Sequence, residues 1–201
     1  MIGLLLGAVS SITADDWDPY PLTRCVVQES VVDAKSEIFE VKGREIRVCC
    51  EQCLGQFNDD PDRWLELVDK QIVKQQTPFY PLETCAVDGR SLKEAFPVEV
   101  VFRNRLFRLC SDACQAKLKT DPGPPFAALN RAVIKQQKAV YPLTRCLVSG
   151  KPLGAKAIDH VVANQLIRLA GPAQLDKFEE TPGSYLEKLR ALRKSGKPAK
   201  P

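Results

Sequence analysis

Two sets of three cysteines in this 201-residue chain share the same internal arrangement. In each set, one cysteine is followed after a gap of similar length by a C-x3-C pair. The sets are Cys25, Cys49 and Cys53, and Cys85, Cys110 and Cys114. Thiolate sulfur is a ligand for zinc, which prefers a tetrahedron of four ligands, and for Cu(I), which also accepts three. The spacing therefore predicts two sites for a thiophilic transition metal, zinc or copper.

The same thiols could instead form disulfides if the protein is exported. Cys49 and Cys53 are spaced by one helical turn, which fits the Cα separation of about 4.4–6.8 Å that a disulfide requires. Three thiols cannot all pair within one set, and this favours metal. Cys50 has no counterpart in the second set and is a candidate additional ligand. The alternative to metal binding is a structural repeat protein that is stapled by disulfides and recruits a protein partner.

The chain is a tandem array. The phrase Tyr-Pro-Leu-x-x-Cys occurs at residues 20–25, 80–85 and 141–146, which predicts three repeats. We place module 1 at residues 17–76, module 2 at 77–137 and module 3 at 138–194. Module 3 is degenerate, because Ala170 and Gln174 stand where the C-x3-C pair would be. Its remaining Cys146 is expected to be a buried remnant.

Each module is predicted to have an α+β composition. Alternating apolar residues around a central Gly or Asn predict a β-hairpin, and the C-x3-C pair follows it at the start of a helix. An Asp-Pro or Thr-Pro step then starts a second helix. The predicted strand pairs are 38–41 with 45–48, 98–102 with 106–109, and 161–162 with 166–169. The repeated Lys-Gln-Gln at residues 74–76 and 135–137 is predicted to be a linker between modules.

This pattern resembles the TRASH and YHS family of small metal-binding modules. The matching residues are Cys25, Cys49, Cys53, Phe57 and Asp60-Pro61 in module 1, and Cys85, Cys110, Cys114 and Asp121-Pro122 in module 2. The resemblance implies a treble-clef fold in each module and binding of a transition metal such as zinc or copper. It also implies a role in metal sensing, trafficking or resistance.

The two ends of the chain carry separate signals. Residues 1–14 form an apolar run that ends before three acidic positions, typical of a secretory signal cleaved after Ala14. The alternative is an apolar N-terminal strand or helix. We expect an exported protein, periplasmic or extracellular, without a stable membrane span. The C-terminal residues 195–201 are expected to be a disordered basic tail, and the net charge of +4 does not indicate nucleic-acid binding.

The sequence does not favour catalysis. His160 is the only histidine, and a structural role is expected for it. The chain contains no phosphate-binding glycine loop, and C-x3-C is not the C-x-x-C motif of thiol oxidoreductases. We therefore expect a non-catalytic protein whose partner is a metal ion, with any protein partner unknown.

Overall fold

The computed structural model describes residues 17–93 and 97–195. This part of the chain is α+β, as the sequence predicts, and each module contains one antiparallel hairpin followed by two helices. The strands are β1 (Glu37–Val41), β2 (Arg44–Val48), β3 (Val98–Phe102), β4 (Arg105–Leu109), β5 (Ile158–Val162) and β6 (Gln165–Leu169). The α-helices are α1 (Glu51–Asp59), α2 (Pro61–Gln76), α3 (Asp112–Thr120), α4 (Gly123–Lys138), α5 (Leu175–Glu180) and α6 (Pro182–Ser195).

Two-residue turns with positive φ close the three hairpins. Gly43, Asn104 and Asn164 have φ values of 72°, 65° and 57°, and the residue before each also has a positive φ. Such turns match the twist of the paired strands and favour Gly and Asn. The residue after each Gly or Asn already pairs across the hairpin, so every second strand begins one residue earlier than predicted.

Module 1 illustrates how each module builds its own core. Helix α2 begins at Pro61 after an Asp60 N-cap, whose carboxylate accepts a hydrogen bond from the Arg63 backbone N–H, as the Asp-Pro step predicts. Val68 and Ile72 on one face of this helix are fully buried. They join a cluster with residues of the hairpin, the first helix and the cysteine turn. Modules 2 and 3 have corresponding clusters.

The predicted linker is part of a helix instead. The second glutamine of each Lys-Gln-Gln lies near the end of α2 or α4 and is buried. Gln76 donates from Nε2 to the Asn104 carbonyl at 2.8 Å, and its Oε1 accepts from the Leu106 N–H at 2.8 Å. Gln137 makes the equivalent pair of bonds in module 3, to the carbonyl of the Asn164 turn and the N–H two residues later. Each helix is therefore fastened to the hairpin turn of the next module.

We expect Gln76→Ala to lower the free energy of unfolding by about 1–3 kcal/mol. The substitution leaves the Leu106 N–H and the Asn104 carbonyl buried without their side-chain partner, which costs roughly that much per unsatisfied group. The matched control is Gln136→Ala, at an exposed glutamine of α4. Denaturant unfolding of both variants measures the difference. Equal effects of the two substitutions would contradict this role for Gln76.

Asp18 lies where the three modules meet. Its carboxylate accepts hydrogen bonds from both Nε and a terminal nitrogen of Arg105, and the Ala163 backbone N–H donates to Oδ2 at 2.7 Å. The Asp18 carbonyl accepts from Asn104 Nδ2 at 3.2 Å. Arg105 also donates to the Val161 carbonyl at 2.8 Å. A residue from module 1 is thus bonded to the hairpins of modules 2 and 3.

Modules 1 and 3 also touch directly. The Arg47 guanidinium donates to the carbonyls of Glu180 and Glu179 at 2.6 and 2.7 Å. Gly183, at the start of α6, packs so closely on module 1 that a Cβ there would collide with the Leu22 carbonyl. Each module therefore contacts the other two. Among the helices in the described residues, none is long and apolar enough to cross a bilayer.

Candidate metal centres

The first cysteine of every module lies in the same turn. The backbone N–H of Cys25, Cys85 and Cys146 donates to the carbonyl five residues later at 2.8 Å in all three modules. The carbonyl of each of these cysteines accepts from the N–H four residues later, at a residue with positive φ: Glu29, Gly89 and Gly150. This turn fixes the cysteine and the residue three positions after it in equivalent places.

The C-x3-C pair connects the second strand to a helix, as predicted. Strand β2 ends at Val48, Cys49 follows it, and Cys53 lies in the first turn of α1. Cys49 lies just before the N-cap residue Cys50 and is not itself helical, so the bend between strand and helix brings its thiol to that of Cys53. The Sγ atoms of Cys49 and Cys53 are 3.5 Å apart. Cys110 and Cys114 have the same separation of 3.5 Å.

The fold brings the predicted trio of module 1 together. The Sγ atoms of Cys25, Cys49 and Cys53 all lie within 4.8 Å of one another, and those of Cys25 and Cys53 belong to buried residues. Two sulfur ligands at roughly 2.3 Å from a tetrahedral zinc ion would be about 3.8 Å apart. None of the eight cysteines is joined to another by a disulfide in this structure. The arrangement can accommodate a metal ion.

Module 2 contains the predicted trio and a fourth group. Ligand atoms of Cys85, Cys110, Cys114 and Asp88 lie within 4.8 Å of one another. Asp88 Oδ2 is 3.2 Å from Cys114 Sγ and 3.4 Å from Cys110 Sγ. Asp88 is not among the ligands that the sequence predicted. The missed signal is the position of Asp88, three residues after a cysteine in the shared turn.

Arg90 holds the Asp88 carboxylate in place. The Arg90 backbone N–H donates to Oδ1 at 3.1 Å, and its Nε donates to Oδ2 at 2.7 Å. The backbone N–H and then the guanidinium hold the pKa of Asp88 well below its usual range. Asp88 therefore faces the thiols as a carboxylate, the form that can bind a metal.

The thiols of module 1 differ in their ease of ionisation. Burial opposes ionisation of Cys25, but hydrogen bonds from backbone N–H groups, that of Cys49 first, outweigh it and lower the pKa. Burial raises the pKa of Cys53, and the neighbouring thiols raise it further. Burial also raises the pKa of Cys49. A bound cation would displace the protons from these two thiols, because metal ligands must be deprotonated.

In module 2 the pKa of one thiol is likewise raised. Burial and the neighbouring thiols of Cys114 and Cys85 raise the pKa of Cys110 to about 12. Without a cation this thiol keeps its proton at neutral pH. Metal binding at either centre should therefore release protons and strengthen as the pH rises.

Cys50 lies beside the module 1 trio. Its Sγ is 3.9 Å from Cys49 Sγ, but it does not belong to the group whose ligand atoms lie within 4.8 Å. Cys50 occupies the N-cap position of α1, as Ser111 does for α3. Its role as an additional ligand stays a prediction. Ser111 shows that the equivalent position in module 2 is filled by a helix-capping residue without a thiol.

Module 3 contains the shared turn but lacks the C-x3-C pair. Cys146 is buried in the equivalent turn, but Ala170 and Gln174 supply no thiol opposite it. His160 lies on β5 with its ring edge-on to Phe178, the ring centroids being 5.9 Å apart. Within the described residues of module 3, no group of three potential metal ligands comes together.

Comparison of the chain with protein-family models, curated proteins and solved structures gave no match. The interpretation of the two centres therefore depends on their geometry. Three thiols converge in module 1, and three thiols and a carboxylate converge in module 2. Both are ligand sets of the kind that bind zinc, and thiolates also bind Cu(I).

Proposed function

We propose that this chain is a non-catalytic protein that binds one thiophilic transition metal ion, zinc or copper, in each of modules 1 and 2. The observation that carries the proposal is the convergence of two cysteine trios from separate segments of the chain. In each trio one thiol comes from the shared turn and two come from the strand–helix junction. Such convergence of three thiols, together with the regular repeat, is more typical of metal ligation than of packing.

The fold and biological role of the modules are part of the same proposal. A turn cysteine, a hairpin and a helix N-terminus that approach one point correspond to a treble clef, and the resemblance to TRASH and YHS modules supports this assignment. The helix N-terminus would favour thiolates through its unpaired N–H groups and dipole. We propose a role in metal sensing, trafficking or resistance outside the cytoplasm. The apolar run at residues 1–14, which supports export, lies outside the described residues.

The contacts of Asp88 support a binding role rather than catalysis. A catalytic base needs a carboxylate that is free to take a proton from a substrate or from water. Asp88 is instead engaged by Arg90 and by two thiols. We therefore propose that it acts as a ligand.

Metal content and thiol counts on the anaerobically purified full chain test this proposal. We expect two equivalents of zinc or copper, one for each trio. The six thiols of the two trios should react with an alkylating agent only after a chelator is added. Cys50→Ser should retain the same metal content, because Ser111 occupies the equivalent position in module 2. A metal-free protein with few alkylatable thiols would contradict metal binding and favour the disulfide-stapled interaction protein.

A further inference from the structure

The two candidate centres have different ligand sets although their turns and thiols are equivalent. The difference lies at the third residue after the first cysteine. This residue is Asp88 in module 2 and Gln28 in module 1, while module 3 has Ser149. Because the turn is the same in all three modules, the side chain at this position determines what faces the thiols.

Asp88 is positioned as a fourth ligand. Its carboxylate oxygens lie 3.2–3.5 Å from the thiols of the C-x3-C pair. Arg90 binds both oxygens, one through its backbone N–H and the other through Nε. Metal-binding carboxylates commonly have such outer partners, which orient them toward the ion. Module 1 has the neutral amide of Gln28 at this position, and the residues at both positions, Gln28 and Asp88, are exposed.

We propose that the two centres select different metals. Module 2 binds Zn²⁺ through Cys85, Cys110, Cys114 and Asp88, whereas module 1 binds Cu(I) through Cys25, Cys49 and Cys53 alone. This inference rests on the proposed function and assigns a metal to each of its sites.

The chemistry of the donors is the basis for this division. Zinc accepts mixed sulfur and oxygen ligands and favours four of them in a tetrahedron. Cu(I) is a soft ion that selects thiolates, and a carboxylate adds little to its binding. Three sulfurs with no carboxylate therefore suit Cu(I), and three sulfurs with a charged oxygen suit zinc.

The surroundings of module 1 also suit a trithiolate site. Three thiolates around a monovalent cation retain a net negative charge. Cys25 borders a cavity whose lining also includes four cationic residues and one carboxylate: Arg24, Lys74, Arg190, Lys194 and Glu29. The charged residues that line this cavity thus carry a net positive charge on one side of the trio.

The test uses full-length chains in which only one centre remains. Cys53→Ser removes a ligand of module 1, and Cys114→Ser removes the corresponding ligand of module 2. Asp88→Ser is then made in the first background and Gln28→Asp in the second. Serine is the residue that module 3 carries in the same turn, so Asp88→Ser is compatible with the backbone. Zn²⁺ and Cu(I) affinities are measured anaerobically by competition with chelators, and X-ray absorption counts the sulfur and oxygen neighbours of zinc.

We expect Asp88→Ser to weaken Zn²⁺ binding by module 2 at least about tenfold, because even outer partners of metal ligands contribute that much. Zinc in the parent should have three sulfur neighbours and one oxygen neighbour. In the variant a water can take the fourth position, so the loss of affinity is the decisive measurement. Gln28→Asp should strengthen Zn²⁺ binding by module 1 without strengthening Cu(I) binding. If both centres bind zinc and copper alike and Asp88→Ser changes neither affinity, the division is wrong while the proposed function stands. If neither centre binds metal, the proposed function itself fails.

Discussion

Asp18→Ala should lower the free energy of unfolding by about 3–5 kcal/mol, the usual cost of removing one partner from a buried ion pair. The side chains of Asp18 and Arg105 are 0% and 1% exposed. Without the carboxylate, the Arg105 guanidinium stays buried with no opposite charge. The Ala163 N–H also loses its acceptor. Because these partners belong to modules 2 and 3, the substitution should loosen the contact among all three modules.

Denaturant unfolding measures the loss of stability, and limited proteolysis reports separation of the modules. The matched control is Asp62→Ala, which removes a carboxylate from the exposed Lys42–Asp62 pair, whose side chains are 62% and 78% exposed. Exposed ion pairs contribute about 0–1 kcal/mol. Asp18→Asn, which keeps a hydrogen-bond acceptor, should fall between the two. If Asp18→Ala were no more destabilising than Asp62→Ala, Asp18 would not hold the modules together.

The elements that the sequence predicted correctly have strong local signals. Alternating apolar residues and central Gly or Asn predicted all three hairpins, since side-chain alternation and positive φ are properties of short segments. The Asp60-Pro61 step predicted the start of α2 for the same reason. The convergence of the cysteine trios could be anticipated because the same spacing occurs twice along the chain.

No local sequence pattern predicted the contacts among the modules. Asp18 and Arg105 are 87 positions apart, and nothing near either residue indicates that the other is its partner. Gln76 and Gln137 belong to a polar tripeptide that resembles a linker, but their amides satisfy buried backbone groups of the next hairpin. Polarity alone does not distinguish a solvated side chain from one that satisfies a buried backbone group.

Asp88 was missed for a different physical reason. Asp before Gly is a common turn pair, since the Asp side chain accepts a hydrogen bond from a backbone N–H two residues on. Asp88 does accept such a bond, from Arg90. The same carboxylate also faces Cys110 and Cys114. The turn hydrogen bond alone is enough to explain an Asp at this position. The contact of its carboxylate with the thiols depends on how the hairpin and helix pack against the turn, which the local sequence does not indicate.

Cys85→Ser is expected to change both the metal content and the stability of the protein. This substitution should remove one equivalent of metal and lower the free energy of unfolding by about 4 kcal/mol, the stabilisation by a ligand present at a thousand times its dissociation constant. A domain of about 60 residues is marginal without additional stabilisation. Module 2 should therefore unfold first on heating. Elemental analysis measures the metal, and calorimetry with and without a chelator measures the stability.

Cys146→Ser is a closely matched control for this prediction. Cys85 and Cys146 are the first cysteines of equivalent turns, and each is 2% exposed. Both substitutions exchange a buried thiol for a hydroxyl, but only Cys85 has two thiols and a carboxylate beside it. Cys146→Ser should keep the full metal content and show only the packing cost. Since a chelator removes the metal from both proteins, their stabilities should then become similar. Equal loss of stability in the two variants before chelation would mean that Cys85 contributes through packing and not through metal.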